Sequence, residues 1–245
     1  ILHSDDSRHR LVHILLAKLF IDPDHLKEAY TPYTSQYFLD EYFTFDRAEV
    51  LVDGGAYTGD TALEFINICS DFEKLYLFEP LPHAAREAKR AIGAICPEGT
   101  VEVFEKGLFN REAVLPFNCM EGEGDSRVDE TGEEQIQCVR LDQTVGGPIT
   151  FIKLDIEGME GDAIEGAKNI IQRDNPQMAV CVYHKPGDFW QLPRLILHCC
   201  PDYTFELRQC MPHEFCDTIL YCIPKNKKKN NIFIFLFIIS LLKTQ

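Results

Sequence analysis

Basic residues are scarce in this sequence. The chain of 245 residues has 24 lysines and arginines against 39 aspartates and glutamates, which gives a formal net charge of −15. Five of the lysines follow Pro224, where no acid occurs, so residues 1–224 carry 19 basic and 39 acidic residues, a net charge of −20. Binding along a nucleic-acid backbone requires many lysines and arginines to displace counterions. The composition therefore argues against a nucleic-acid partner.

The Cys-x-x-Cys spacing of zinc and redox sites is also missing, although the chain has ten cysteines. Most of them stand inside apolar runs such as 179–182, where a reduced cysteine behaves as a small hydrophobic residue. We therefore expect reduced thiols and a cytoplasmic location.

The sequence has no apolar run that we expect to span a bilayer. The run Ile232–Leu242 has 11 residues with one serine, whereas a spanning helix needs about 17 or more. The lysine- and asparagine-rich residues before it break with the rest of the composition. We therefore predict a lead-in at 1–45 that packs on the main domain, the main domain itself at 46–224 and a tail at 225–245 outside the fold.

A glycine-rich loop follows the first predicted strand. The apolar run from Val50 to Asp53 is bounded by Glu49 and two glycines, as in a buried strand of a parallel sheet. A helix opened by Asp60 or Thr61 follows, and this order places a ligand at the carboxyl end of the strand. A dinucleotide presents an anionic pyrophosphate to such a loop. An acid directly before the glycines would repel that anion and attract the sulfonium and ammonium groups of S-adenosylmethionine, although a tight turn without a ligand is the alternative.

A second acid ends the next predicted strand. Glu79 stands near the end of the predicted strand Lys74–Pro80, 26 residues after Asp53. A carboxylate at the end of this strand can accept hydrogen bonds from both ribose hydroxyls of a nucleoside. The alternative for this residue is helix capping. The candidate cofactor-binding residues are Asp53, Gly54, Gly55, Ala56, Tyr57, Gly59, Thr61, Glu79 and Pro80.

The candidate catalytic residues follow two later strands. The strand within Ile149–Gly158 ends in Asp155 and Glu157, and the strand Gln177–Tyr183 runs into His184. Alternation along a strand would put both acids on one face. His184 has the pKa best suited to a general base near neutrality, with a structural hydrogen bond as the alternative. We assign no metal, because a hard cation generally requires more oxygen ligands than these two acids offer.

Strands and helices alternate along most of the chain. This order predicts an α/β fold with a parallel sheet. The last two predicted strands, 203–208 and 218–223, suit an antiparallel pair at the C-terminal end of the sheet. Two short strand-like segments, 113–119 and 135–139, predict a hairpin with a mobile tip at 121–127. Residues 7–20 show the apolar period of an amphipathic helix. The aromatic segment 30–43 could cover the cofactor site as a lid or fill the core.

Five stretches in order resemble the FkbM family of S-adenosylmethionine-dependent methyltransferases. They are residues 52–61, 78–80, 151–158, 183–186 and 217–221, and the resemblance extends over roughly residues 33–224. It implies the class I methyltransferase fold, which is Rossmann-like: a seven-stranded, mostly parallel sheet with an antiparallel C-terminal strand and helices on both faces. It also implies S-adenosyl-L-methionine as the cofactor and methylation of a hydroxyl group.

We therefore predict an O-methyltransferase that acts on a small molecule or a glycan. One alternative is an NAD(P)-dependent oxidoreductase of related topology, against which Asp53 and the two-strand C-terminal finish count. The other is a non-catalytic nucleotide-binding scaffold. Neither the acceptor nor the oligomeric state follows from the sequence.

Overall fold

The computed structural model describes residues 1–32, 35–46, 48–118, 127–128, 132 and 134–227. Residues 121–126 of the hairpin tip predicted at 121–127, and residues 228–245 of the predicted tail, lie outside these ranges. The helices are α1 (Asp5–Phe20), α2 (Asp24–Ala29), α3 (Asp60–Ile68), α4 (Pro82–Gly93), α5 (Leu141–Thr144), α6 (Glu160–Gly166), α7 (Lys168–Asp174) and α8 (Asp188–Cys199). The strands are β1 (Val50–Gly54), β2 (Lys74–Phe78), β3 (Val101–Phe104), β4 (Gly107–Leu108), β5 (Ala113–Asn118), β6 (Arg127–Val128), β7 (Glu134–Val139), β8 (Phe151–Leu154), β9 (Gln177–Cys181), β10 (Tyr203–Gln209) and β11 (Thr218–Pro224).

Seven strands form the main sheet in the order β10-β11-β9-β8-β1-β2-β3. The neighbours from β9 to β3 pair in parallel, whereas β11 pairs antiparallel with both β9 and β10. The predicted fold class, including its antiparallel last strand, is therefore confirmed. Because the carboxyl ends of β1, β2, β8 and β9 meet at one edge, the loops after them share one region.

Both faces of this sheet are covered. Along β1, Val50 and Val52 pack with residues of α6, α7 and α8, whereas Leu51 packs with residues of α3 and α4. This alternation follows from the two-residue period of a strand. Because β1 is buried on both faces, its sequence reads as a continuous apolar run.

The described aromatic residues after residue 34 in the segment before β1 include core residues. Phe38 and Phe43 are 2% and 0% exposed, and their rings lie 5.2 and 4.9 Å from that of Phe151 in β8. These rings fill the space under the sheet, so the lid interpretation is wrong for them. Tyr37 reaches further, and its hydroxyl donates to Asp155 at 2.9 Å.

Helix α1 covers the free edge of β10. The helix begins after Ser4, whose side chain accepts from the Ser7 N–H at 3.1 Å and so caps it. The Ser7 hydroxyl then accepts from the Leu207 N–H at 2.8 Å. The N–H groups of His3 and Thr31 donate to the carbonyls of Phe205 and Gln209 at 2.8 and 3.5 Å.

One local prediction is wrong, and another, the antiparallel pairing of β5 with β7, is confirmed but belongs to a larger sheet. After the strand predicted to end in Asp155 and Glu157, the sequence predicts one helix from Met159 or Glu160 to Gln172. The structure has two helices there, α6 and α7, because Ala167 leaves the helical region at ψ 7°. The predicted hairpin of β5 and β7 is part of a four-stranded sheet of order β4-β7-β5-β6. Gly166 fits this arrangement, because a Cβ there would lie 2.0 Å from the Phe109 carbonyl oxygen beside β4.

Within the described ranges, no helix combines the length and apolar character required to cross a membrane.

Candidate active site

The loop from β1 to α3 packs directly on the segment after β8. A Cβ at Gly55 would lie 1.9 Å from the Asp155 carbonyl oxygen, and the φ of Gly55 is +78°. Gly59 has a φ of +91°, and a Cβ there would lie 3.0 Å from the Ile92 side chain. Glycine is therefore required at both positions by conformation and packing, whether or not a ligand binds.

Other predicted cofactor residues differ in exposure. Ala56 and Thr61 are buried, whereas Tyr57 is 59% exposed and has a φ of +45°. A tyrosine in the left-handed region is uncommon outside turns and functional loops. Its ring therefore borders the loop from outside and is available to contact a ligand.

Asp53 does not face an open site. It is fully buried, and its Oδ1 lies 3.1 Å from Nζ of Lys153, which also donates to the Gly55 carbonyl at 2.8 Å. Burial alone would lower the pKa of Lys153, but Asp53 and then Asp155 raise it, so the ammonium stays charged. The expectation that Asp53 attracts a cationic ligand overlooked this lysine, which already neutralises the carboxylate.

Glu79 directly follows β2 and joins the two loops at this edge. Its Oε2 accepts from the Tyr57 N–H and its Oε1 from the Leu81 N–H, both at 2.9 Å. Burial raises its pKa, and these two donors oppose the shift. An ionised carboxylate offers about four acceptor positions, so about two remain, which is the number that two ribose hydroxyls require. Pro80 follows and is half-buried.

Asp155 lies one residue beyond β8 and is held by two tyrosines. Tyr37 donates to its Oδ2 at 2.9 Å and Tyr183 to its Oδ1 at 3.2 Å. Burial alone would raise its pKa, but Lys153, then His184 and the Tyr37 hydroxyl, lower it below the usual value. Asp155 is therefore ionised and oriented.

Glu157 lies near His184, but it stands in a turn outside the strand rather than on a strand face. The strand ends at Leu154, and Glu157 stands in a turn with a φ of +55°. The expectation that both acids share one face of a strand is therefore wrong. The turn nevertheless brings Glu157 Oε2 to 3.4 Å and Asp155 Oδ1 to 3.6 Å from Nε2 of His184.

Glu160 belongs to the same cluster, and sequence reasoning missed it. It is 1% exposed, its Oε1 lies 3.0 Å from Nδ1 of His184, and the same oxygen accepts from the Ile156 N–H at 2.9 Å. The signal in the sequence is an acid in the first turn of a predicted helix, where the helix N-terminus favours negative charge.

The cluster favours positive charge at His184. Burial alone would lower the pKa of His184, but Glu160, followed by Asp155 and Glu157, raises it. This shift disfavours the neutral imidazole, which is the form that acts as a general base. Asp155, Glu160 and His184 each offer one ligand atom, and these atoms lie within 4.8 Å of one another, so this group could hold a metal ion.

With this geometry in view, comparison with known proteins identifies the family. The model of the methyltransferase FkbM domain matches residues 53–220. The chain belongs to the FkbM methyltransferase family. The resemblance inferred from five stretches is therefore confirmed, and S-adenosylmethionine is the cofactor that membership of the FkbM family implies.

Two solved structures resemble this chain to different degrees. The methyltransferase FkbM from Methylobacillus flagellatus KT is 27% identical and superposes with a TM-score of 0.79 over 90% of this chain. The match covers 56% of that protein, so this chain spans little more than half its length. Fibrillarin from Aeropyrum pernix, solved with natively bound S-adenosyl-L-methionine, is 11% identical with a TM-score of 0.47, over 89% of this chain and 76% of its own. The comparison with curated proteins gives no match.

Proposed function

We propose that this FkbM-family protein transfers the methyl group of S-adenosylmethionine to a hydroxyl group of a small molecule or glycan. One contact carries the proposal: Gly55 of the predicted cofactor loop packs against the backbone of Asp155, the first member of the acidic cluster. A methyl donor over that loop would therefore lie beside carboxylates that can act on an acceptor.

The cofactor residues fit their proposed group. Glu79 keeps about two acceptor positions for ribose hydroxyls, and its two N–H donors fix its orientation. The exposed ring of Tyr57 would pack on the ligand. S-adenosylmethionine supplies an electrophilic methyl carbon, which an acceptor oxygen attacks in line.

Three residues would act on the acceptor. Asp155, which is ionised and held by two tyrosines, orients the hydroxyl together with His184. Glu157 takes the proton, because its carboxylate is the most exposed of the three acids around His184, at 32%. Proton removal by a positioned group contributes about 10²- to 10⁴-fold to a rate. The division into a lead-in at 1–45, this domain at 46–224 and a tail remains part of the proposal.

Calorimetric titration with S-adenosylhomocysteine and separately with NADH, followed by a methyl-transfer assay over a panel of hydroxylated acceptors, tests this function. We expect saturable binding of S-adenosylhomocysteine alone. Glu157→Gln should keep that binding and lose at least about 100-fold in methyl transfer. Glu165→Gln is the matched control, because Glu165 is exposed in α6 and contacts Asn110 rather than His184. Binding of NADH alone would instead identify an oxidoreductase, and full activity of the Glu157 variant would exclude its role as the base.

A further inference from the structure

Three side chains from three separate elements converge beside the proposed acceptor site. Asp155 follows β8, Glu160 is the first residue of α6, and His184 follows β9. Their ligand atoms lie within 4.8 Å of one another. Ligand atoms on opposite sides of an octahedral cation lie about 4 Å apart. The longest distance between these ligand atoms would therefore have to shorten by less than about 1 Å for all three to coordinate one cation.

Polar atoms in this cluster are buried without hydrogen-bond partners. The His184 side chain is 8% exposed, and neither of its ring nitrogens makes a hydrogen bond, although carboxylate oxygens lie 3.0–3.6 Å away. The Glu160 Oε2 is buried and has no partner either. Leaving such atoms unsatisfied is unfavourable. Such atoms also occur elsewhere, for example on Asp53. What distinguishes this cluster is that its unpartnered atoms belong to side chains whose ligand atoms converge within 4.8 Å.

The candidate ligands are held in place from outside the cluster. Tyr37 and Tyr183 donate to Asp155, and the Ile156 N–H donates to Oε1 of Glu160, which leaves Oε2 available. Partners that orient ligands in this way are typical of metal sites. The nearby ammonium of Lys153 lowers the pKa of Asp155, but it is also the ion-pair partner of Asp53, so it does not balance all three acids of the cluster.

We propose that Asp155, Glu160 and His184 bind a divalent cation such as Mn²⁺. Two carboxylates and one imidazole suit a cation of this type, and three protein ligands leave coordination positions for water or substrate. If the proposed function holds, the acceptor hydroxyl takes one of these positions and becomes more acidic, and Glu157 receives its proton. The metal would then compete with the proton on His184.

Calorimetry of the full chain, stripped with a chelator and titrated with MnCl₂, tests this site, with electron paramagnetic resonance of Mn²⁺ as the second readout. We expect one saturable site per chain. Glu160→Gln keeps an oxygen for the Ile156 N–H but removes the charge, and it should weaken Mn²⁺ binding at least about tenfold. His184→Asn should do the same, and Glu165→Gln in the same helix should bind as the wild type does.

Two results would overturn the metal site. One is absence of saturable Mn²⁺ binding in a folded wild-type chain, and the other is unchanged affinity in the Glu160 variant. If that variant does not fold, the His184 variant decides in the same way. Parallel titration with S-adenosylhomocysteine separates the two proposals, because the cofactor can bind without the metal and a failure of the proposed function would appear there.

Discussion

Two buried charged groups lie close together at the same edge of the sheet, and they differ in how their charges are balanced. At the end of β1, Asp53 and Lys153 face each other at 3.1 Å, and the lysine also binds the Gly55 carbonyl. Beyond β8, three carboxylates surround a single imidazole, and buried atoms of Glu160 and His184 have no hydrogen-bond partner. Both groups contain buried atoms without a hydrogen-bond partner, since the two carboxylate oxygens of Asp53 also lack one. The difference is in charge: one acid faces one base in the first group, whereas three acids share one imidazole in the second.

Removing one partner of the balanced pair should have the largest effect on stability. Lys153→Met would leave Asp53 buried without a counter-ion, and we expect a loss of about 3–5 kcal/mol in the free energy of unfolding, measured by urea denaturation. Lys74→Met is the control, because its 2.6 Å ion pair with Glu102 is partly exposed and should contribute about 0–1 kcal/mol. A loss at Lys153 as small as that of the control would show that the buried pair does not stabilise this edge.

The contact between the two regions should be nearly as sensitive. Gly55→Ala would force a Cβ to 1.9 Å from the Asp155 carbonyl oxygen at a φ of +78°, and we expect a loss of about 3 kcal/mol. Gly93→Ala at the end of α4 meets nothing within 4 Å and should be neutral or slightly stabilising. Equal melting temperatures of the two variants would contradict the close packing of loop and cluster.

Glu79 should affect binding more than folding. Replacement by Gln removes the charge that would receive ribose hydroxyls, and we expect about tenfold weaker binding of S-adenosylhomocysteine by calorimetry. Glu73→Gln, at an exposed position before the same strand, should leave the affinity unchanged. Unaltered affinity at Glu79 would favour the helix-capping interpretation.

Tyr57 should give the smallest change. Because the ring is 59% exposed, Tyr57→Ala should alter the free energy of unfolding by about 0.5 kcal/mol or less. Loss of an aromatic contact of about 1 kcal/mol would weaken S-adenosylhomocysteine binding about fivefold. Affinity equal to that of the wild type would mean that the ring only borders the loop.

The sequence was sufficient for the main sheet, because burial on both faces gives β1 a continuous apolar run and β8 a run interrupted only by Lys153. It did not show that β8 ends at Leu154, before the turn that holds Glu157. The sequence could not show which residues the acids near the ends of these strands pair with or in which direction their side chains point. The pairing of Asp53 with Lys153 joins residues 100 positions apart and depends on the register of two neighbouring strands. The turn at Glu157 depends on a positive φ that a glutamate rarely adopts, and the inward direction of Glu160 depends on where α6 begins.

Helix α1 and its flanking residues cover the free edge of β10, and this affects how copies of the protein behave in concentrated solution. A sheet that ends in a seven-residue strand presents free N–H and carbonyl groups, which a second chain can extend into an intermolecular sheet. Here the alternate residues Phe205, Leu207 and Gln209 already bond to the N-terminal segment. Helix α1 and its flanking residues therefore protect the protein against edge-to-edge aggregation, and a chain shortened to begin after residue 32 would lose that protection.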